Sequence, residues 1–115
     1  MATACLFVGW NRPNPGMQKE AMGALQESRP QIQKWQKEGW YESYELIGLT
    51  AHGGDLNGFI LLKGERAKLD ELRRTDEFER FVMRLGLVLD RLGVVPGVTE
   101  AGIDKVMSRN PDMLK

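Results

Sequence analysis

Residues Tyr41 to Glu65 read YESYELIGLTAHGGDLNGFILLKGE. Two apolar arms flank a centre rich in glycine, which is the pattern of two strands and a turn. The first arm is expected over Tyr41 to Ala51 and the second over Phe59 to Lys63. Glycines and asparagine in His52 to Gly58 tolerate positive φ and turn the chain. Two turn placements compete: Gly53-Gly54-Asp55 with a bulge near Gly58, which we prefer, or a tight turn at Asn57-Gly58. Strand alternation divides the first arm into Ile47, Leu49 and Ala51 on one side and Tyr44, Gly48, Thr50 and His52 on the other. We expect the first set to face the helices, an assignment that a bulge would reverse.

Upstream, Ala4 to Trp10 is apolar at odd and even positions alike, so both faces of this first strand should be covered. Asn14 followed by Pro15 marks a helix start, with asparagine as cap and proline at the first helical position. Met17, Ala21, Leu25, Ser28, Ile32 and Trp35 then recur at steps of three or four and form one stripe. Pro30 predicts a kink or break near Glu27 to Arg29, and Gly39 a stop. Downstream, Leu69 and Leu72 mark a short helical piece. Thr75 with Asp76 and Glu77 reads as a fresh cap. Phe78, Val82, Leu85, Leu89 and Leu92 extend a stripe to Gly93. A last strand is expected within Val98 to Ile103, and a loose or docking tail from Ser108.

The order strand, helix, strand, strand, helix, strand is that of an α+β, ferredoxin-like βαββαβ sandwich. Its antiparallel four-stranded sheet carries two helical regions on one face, and the whole span 1–115 forms one domain. The first and third strands are central in that layout, and they are the most apolar here. Their apolar residues face both ways: Leu6, Val8 and Trp10 against Cys5 and Phe7, Ile60 and Leu62 against Phe59 and Leu61. Helices on one side leave the other set in water, a patch that a second copy packed face to face would cover. A homodimer is therefore expected.

Three passages carry a family resemblance: FVGW at Phe7 to Trp10, HGGDLNGFILLKG at His52 to Gly64, and LRRTDEFERFVMRLGLVLDRLGVVPGV at Leu72 to Val98. Over its whole length the chain resembles the dimeric α/β-barrel superfamily, and in these passages an uncharacterised branch of it. The resemblance implies two ferredoxin-like sheets meeting face to face in a barrel. The superfamily includes cofactor-light monooxygenases, isomerases, haem-degrading and stress-responsive members, so it implies no single activity. No catalytic motif of a characterised member matches residue by residue.

Composition narrows the function classes. Sixteen basic and sixteen acidic residues balance, which argues against a nucleic-acid footprint. No apolar run is long enough to span a bilayer, and the amino terminus lacks the basic lead of a signal peptide; a soluble, cytoplasmic protein is expected. The single cysteine, Cys5, reads as a small buried hydrophobe.

His52, the only histidine, is the side chain best suited to acid or base work near neutral pH. Asp55 could orient it, yet turn chemistry alone also accounts for these residues. One histidine is too few for the usual metal-ligand set. Asn11 and Arg12 lack the glycine-rich loop of a phosphate site, and Arg73, Arg74 and Lys68 read as a solvated helix face. A second constellation joins Trp10, Tyr44, Thr50, His52 and Asp55 as the lining of a cavity for a small apolar or aromatic ligand. The same residues suit the polar edge of a dimer interface. The leading expectation is a small-molecule binding protein or small cofactor-light enzyme; the alternative is a non-catalytic structural or interaction homodimer of the stress-responsive type.

Overall fold

A computed structural model describes residues 1–114. The sheet is built from β1 (Ala4–Trp10), β2 (Ser43–Gly48), β3 (Gly58–Gly64) and β4 (Gly93–Val98) in the order β2-β3-β1-β4. All neighbours are antiparallel, and the fold is α+β and ferredoxin-like. The two apolar strands β1 and β3 are indeed central. Their residues Ala4, Leu6, Val8, Trp10, Ile60 and Leu62 are buried beneath α1 (Gln18–Lys37), α2 (Arg66–Arg73) and α3 (Asp76–Gly86).

Helix α1 buries Ala21, Ala24, Ser28, Ile32 and Trp35, close to the expected stripe. It ends where Gly39 takes φ +88°. There the Gly39 and Trp40 amides donate to the Gln36 and Trp35 carbonyls, the paired closure of a Schellman turn. Pro30 does not break this helix, which runs through it. The start differs from expectation too. Asn14 does not cap α1; its amide donates to the Val88 carbonyl at 2.8 Å and its side chain to the Leu87 carbonyl at 3.1 Å. Its polar groups tie the loop after β1 to the segment after α3, and the helix begins at Gln18.

The cap at Thr75 is present, its hydroxyl accepting from the Phe78 amide at 3.2 Å. Helix α3 nonetheless stops at Gly86 rather than reaching Gly93. Val88 and Leu89 still bury, because residues 87–90 bond to 11–14 and press their side chains inward without helical geometry. The last strand is also displaced. Gly93–Val98 is strand, and most of the stretch Val98 to Ile103 belongs to α4 (Glu100–Arg109), capped by Thr99. Pro96 is tolerated because β4 is an edge strand, where a missing N–H can face away from the ladder. The tail expected to be loose is helical as well, continuing into a short 3₁₀ turn at Pro111–Leu114.

The hairpin arms are shorter than expected on the β2 side, leaving a loop from Leu49 to Asn57. Gly53, at φ +81°, turns it. The Leu49 amide closes it onto the Asn57 carbonyl at 2.8 Å. Gly58 pairs with Gly48 and the register runs unbroken to Ser43 opposite Lys63, so neither a tight Asn57-Gly58 turn nor a bulge at Gly58 forms. That register corrects the face assignment. Tyr44 opposes Leu62 and Leu46 opposes Ile60, so Tyr44, Leu46 and Gly48 face the helices and Ile47 faces away.

The other face of the sheet carries Cys5 and Phe7 from β1, Phe59 and Leu61 from β3, Ile47 from β2 and Val95 from β4. None of them belongs to the buried core cluster. Phe7 and Phe59 stack with centroids 5.2 Å apart. Gly9 makes room for this, since a Cβ there would lie 2.3 Å from the Phe7 ring. Lys63 and Glu45 pair at 3.4 Å at one end of the face.

Candidate functional site

One row across the helix-facing side of the sheet is short of side chains. Trp10 opposes Gly58, and Gly58 opposes Gly48. The indole leans over Gly58, where a Cβ would lie 2.9 Å from its Cζ2 and 3.0 Å from its Nε1. At Gly48 a Cβ would meet nothing within 4 Å. Two glycines beside a tryptophan thus leave this edge of the sheet bare of side chains at the exposed Gly48.

The result is a cleft of about 560 Å³ between the sheet end and α1, within the size range of small-ligand sites. Trp10, Tyr44, Leu46 and Gly48 form its sheet wall. Met22, Leu25, Gln26 and Arg29 form its helix wall; their spacing of three and four places them along one flank of α1. Leu49 and Asn57, the two ends of the hairpin loop, frame the mouth. Asn57 is held in place by donating its amide to the Trp10 carbonyl at 2.8 Å while accepting from Leu49.

The chemistry of this lining is apolar with a few polar groups. Trp10 is 3% exposed. Among the described residues its indole N–H donates to no protein acceptor, yet that nitrogen is not sealed from solvent. Pro30 contributes indirectly. Lacking an N–H, it leaves the Gln26 carbonyl without its helical donor. Arg29 is the one charged residue lining the cleft, and no carboxylate lines it.

Of the residues expected from sequence, Trp10 and Tyr44 line the cleft together. Gly48 leaves space on the helix side, not on the far side of the sheet where it was expected. Thr50, His52 and Asp55 are exposed on the loop and do not line the cleft. Among the described residues no hydrogen bond or ion pair joins His52 to Asp55. The His52 ring lies instead against its own loop, with Nε2 3.0 Å from where a Gly54 Cβ would be. Sequence reasoning missed Arg29, Leu25, Leu46, Gly58 and Asn57. Gly58 gave the available signal, a glycine where a strand begins, which often marks close approach of another group.

The other ionisable cluster is structural. The Glu77 carboxylate accepts from the Trp35 indole, from Gln31 at 3.2 Å and from Lys34 at 3.4 Å. The Trp35 hydrogen bond, aided by the Lys34 charge, holds its carboxyl below the usual carboxylate range. It joins α1 to α3, as does the Glu27–Arg84 pair. Tyr41 donates to the Ile32 carbonyl, and burial pushes its phenol upward, with a smaller push from Tyr44. Among the described residues no group of three or more His, Cys, Asp or Glu is placed to hold a metal ion, and no helix is long and apolar enough to cross a membrane.

No family model matches the chain, and no curated protein matches it. Solved structures do. A conserved protein from Methanosarcina mazei Go1 superposes with TM-score 0.61 at 20% identity, covering 83% of this chain and 91% of that one. A dimeric protein of unknown function and ferredoxin-like fold from Bacteroides fragilis NCTC 9343 gives 0.64 at 8% identity, covering 84% and 96%. An antibiotic biosynthesis monooxygenase gives 0.55 at 19% identity, covering 84% and 97%. At such identities the likeness is one of fold: the chain carries a ferredoxin-like α+β architecture.

Proposed function

We propose that the protein is a small-molecule binding homodimer whose ligand, small and largely apolar or aromatic, occupies the cleft beside Trp10. The observation that carries this is the cleft of about 560 Å³ beside the exposed Gly48, walled by an indole and a phenol at the edge of the core. Trp10 and Tyr44 are the binding residues in this reading. Thr50, His52 and Asp55 stand on the loop whose ends frame the mouth, and proton transfer by His52 would require the ligand to reach that loop. A cytoplasmic setting suits the single free cysteine.

The homodimer reading rests on the apolar sheet face around Phe7, Phe59 and Leu61, and the Bacteroides fragilis neighbour of like fold is itself dimeric. The test of the cleft is Gly48→Val, which suits a strand and projects into empty space. Binding of small aromatic compounds, followed by ligand-observed NMR, should weaken at least about tenfold by occlusion, with the melting temperature little changed. Equal binding by the variant would overturn the assignment.

A further inference from the structure

We propose that the ligand of this cleft is a small organic acid, its flat apolar body against Trp10 and Leu46 and its carboxylate on the Arg29 guanidinium. This rests on the reading of the cleft as the binding site and adds the chemical class that the site selects.

The charge pattern supplies the first argument. The chain as a whole is neutral, with sixteen groups of each sign, so a cation at the cleft does not follow from general basicity. Arg29 is nevertheless its only charge. Among the described residues no salt bridge or side-chain hydrogen bond engages that guanidinium. A guanidinium presents two parallel donors matched to a carboxylate's two oxygens.

The second argument is an indole donor without a partner. The Trp10 indole N–H has no protein acceptor among the described residues, although the residue is 3% exposed. The side-chain amides of Gln26 and Asn57 offer donors and acceptors alike at the wall and the mouth. A carboxylate can accept from the indole or from those amides as well as from Arg29; a hydrocarbon leaves the indole N–H unpaired. A phosphate fits less well. Arg29 lies in the middle of α1, not at its N-terminus, where free backbone amides would gather on an anion.

The third argument concerns placement. Arg29 follows Leu25 and Gln26 by four and three residues, along the same flank of α1 that roofs the cleft. Pro30 next to it holds a fixed φ. The cation is thus mounted on a helix above an aromatic wall, an arrangement for one end of a rod-like or flat molecule.

The test compares naphthoate with naphthamide, nearly equal in shape and differing in charge, by calorimetric titration at neutral pH. We expect the wild type to prefer naphthoate about tenfold, the scale of one charge-assisted hydrogen-bonded contact. Arg29→Gln should abolish that preference, so that naphthoate binds no more tightly than naphthamide; Arg29→Lys should keep part of it. Added salt should reduce the preference in the wild type. Equal affinity for the two compounds, or a preference that survives Arg29→Gln, would overturn the acid assignment and leave the cleft standing. Binding of neither compound, or binding of both unaffected by Gly48→Val, would bring down the cleft reading itself.

Discussion

Glu77 shows how one side chain can fasten two helices. The Trp35 indole is 1% exposed and requires an acceptor, which this carboxylate provides. Its folded pKa lies below its unfolded value near 4.3. The stabilisation is therefore present above the unfolded value and lost as pH falls through the folded one. Glu77→Gln, which mimics the protonated group, should lower stability at pH 7 by no more than about 1 kcal/mol, because a 40% exposed carboxylate is screened by solvent. Melting curves of wild type and variant should converge on acidification below about pH 4. A gap that widened there would contradict the assignment.

Residues of this kind differ in how far sequence reveals them. Trp10 and Tyr44 were legible as aromatic groups near glycines, but the face of the sheet that Tyr44 takes was not. Arg29 was not, since its role depends on α1 crossing the open end of the sheet. His52 drew attention through its chemistry alone, and the fold places it on an exposed loop.

At the scale of elements, periodicity succeeded wherever local geometry and burial agree. The buried side of α1, the Thr75 cap and the two central strands followed directly from spacing. It failed where contacts distant in sequence decide. Leu89 continues a helical period yet buries from an irregular segment. The last strand is expected from Val98 onward, yet pairing with β1 makes Gly93–Val98 the strand. Strand β2 has mixed faces, so only its register with β3 determines which side Tyr44 takes. Pro30 offers a prediction at this scale. It lies exposed within a continuous helix, so Pro30→Ala restores the missing donor to Gln26 and relieves ring crowding. Thermal or urea denaturation should show a gain of about 1–3 kcal/mol. Ligand affinity should fall in parallel if Gln26 and Arg29 depend on the proline for their placement.

The whole molecule has two unlike sides. One is covered by helices and carries the cleft at its end; the other presents stacked Phe7 and Phe59 with Leu61 and Ile47 to its surroundings. We expect the protein to sediment as a dimer at micromolar concentration. Leu61→Glu, which places a charge in the middle of the apolar face, should shift it to monomer while its circular dichroism spectrum is retained. A wild-type monomer, or a variant that remained dimeric, would contradict the proposed interface.

Cys5 lies on that same face and is the only thiol in the chain. The proposed association through this face would make the sulfur a clock that the protein carries without engineering. An aromatic disulfide reagent in excess should react slowly with the assembled form, at a rate limited by separation of the two copies and independent of reagent concentration. The kinetics of subunit exchange could then be read from a single absorbance trace, with no label, fusion or second mutation to disturb the surface being timed.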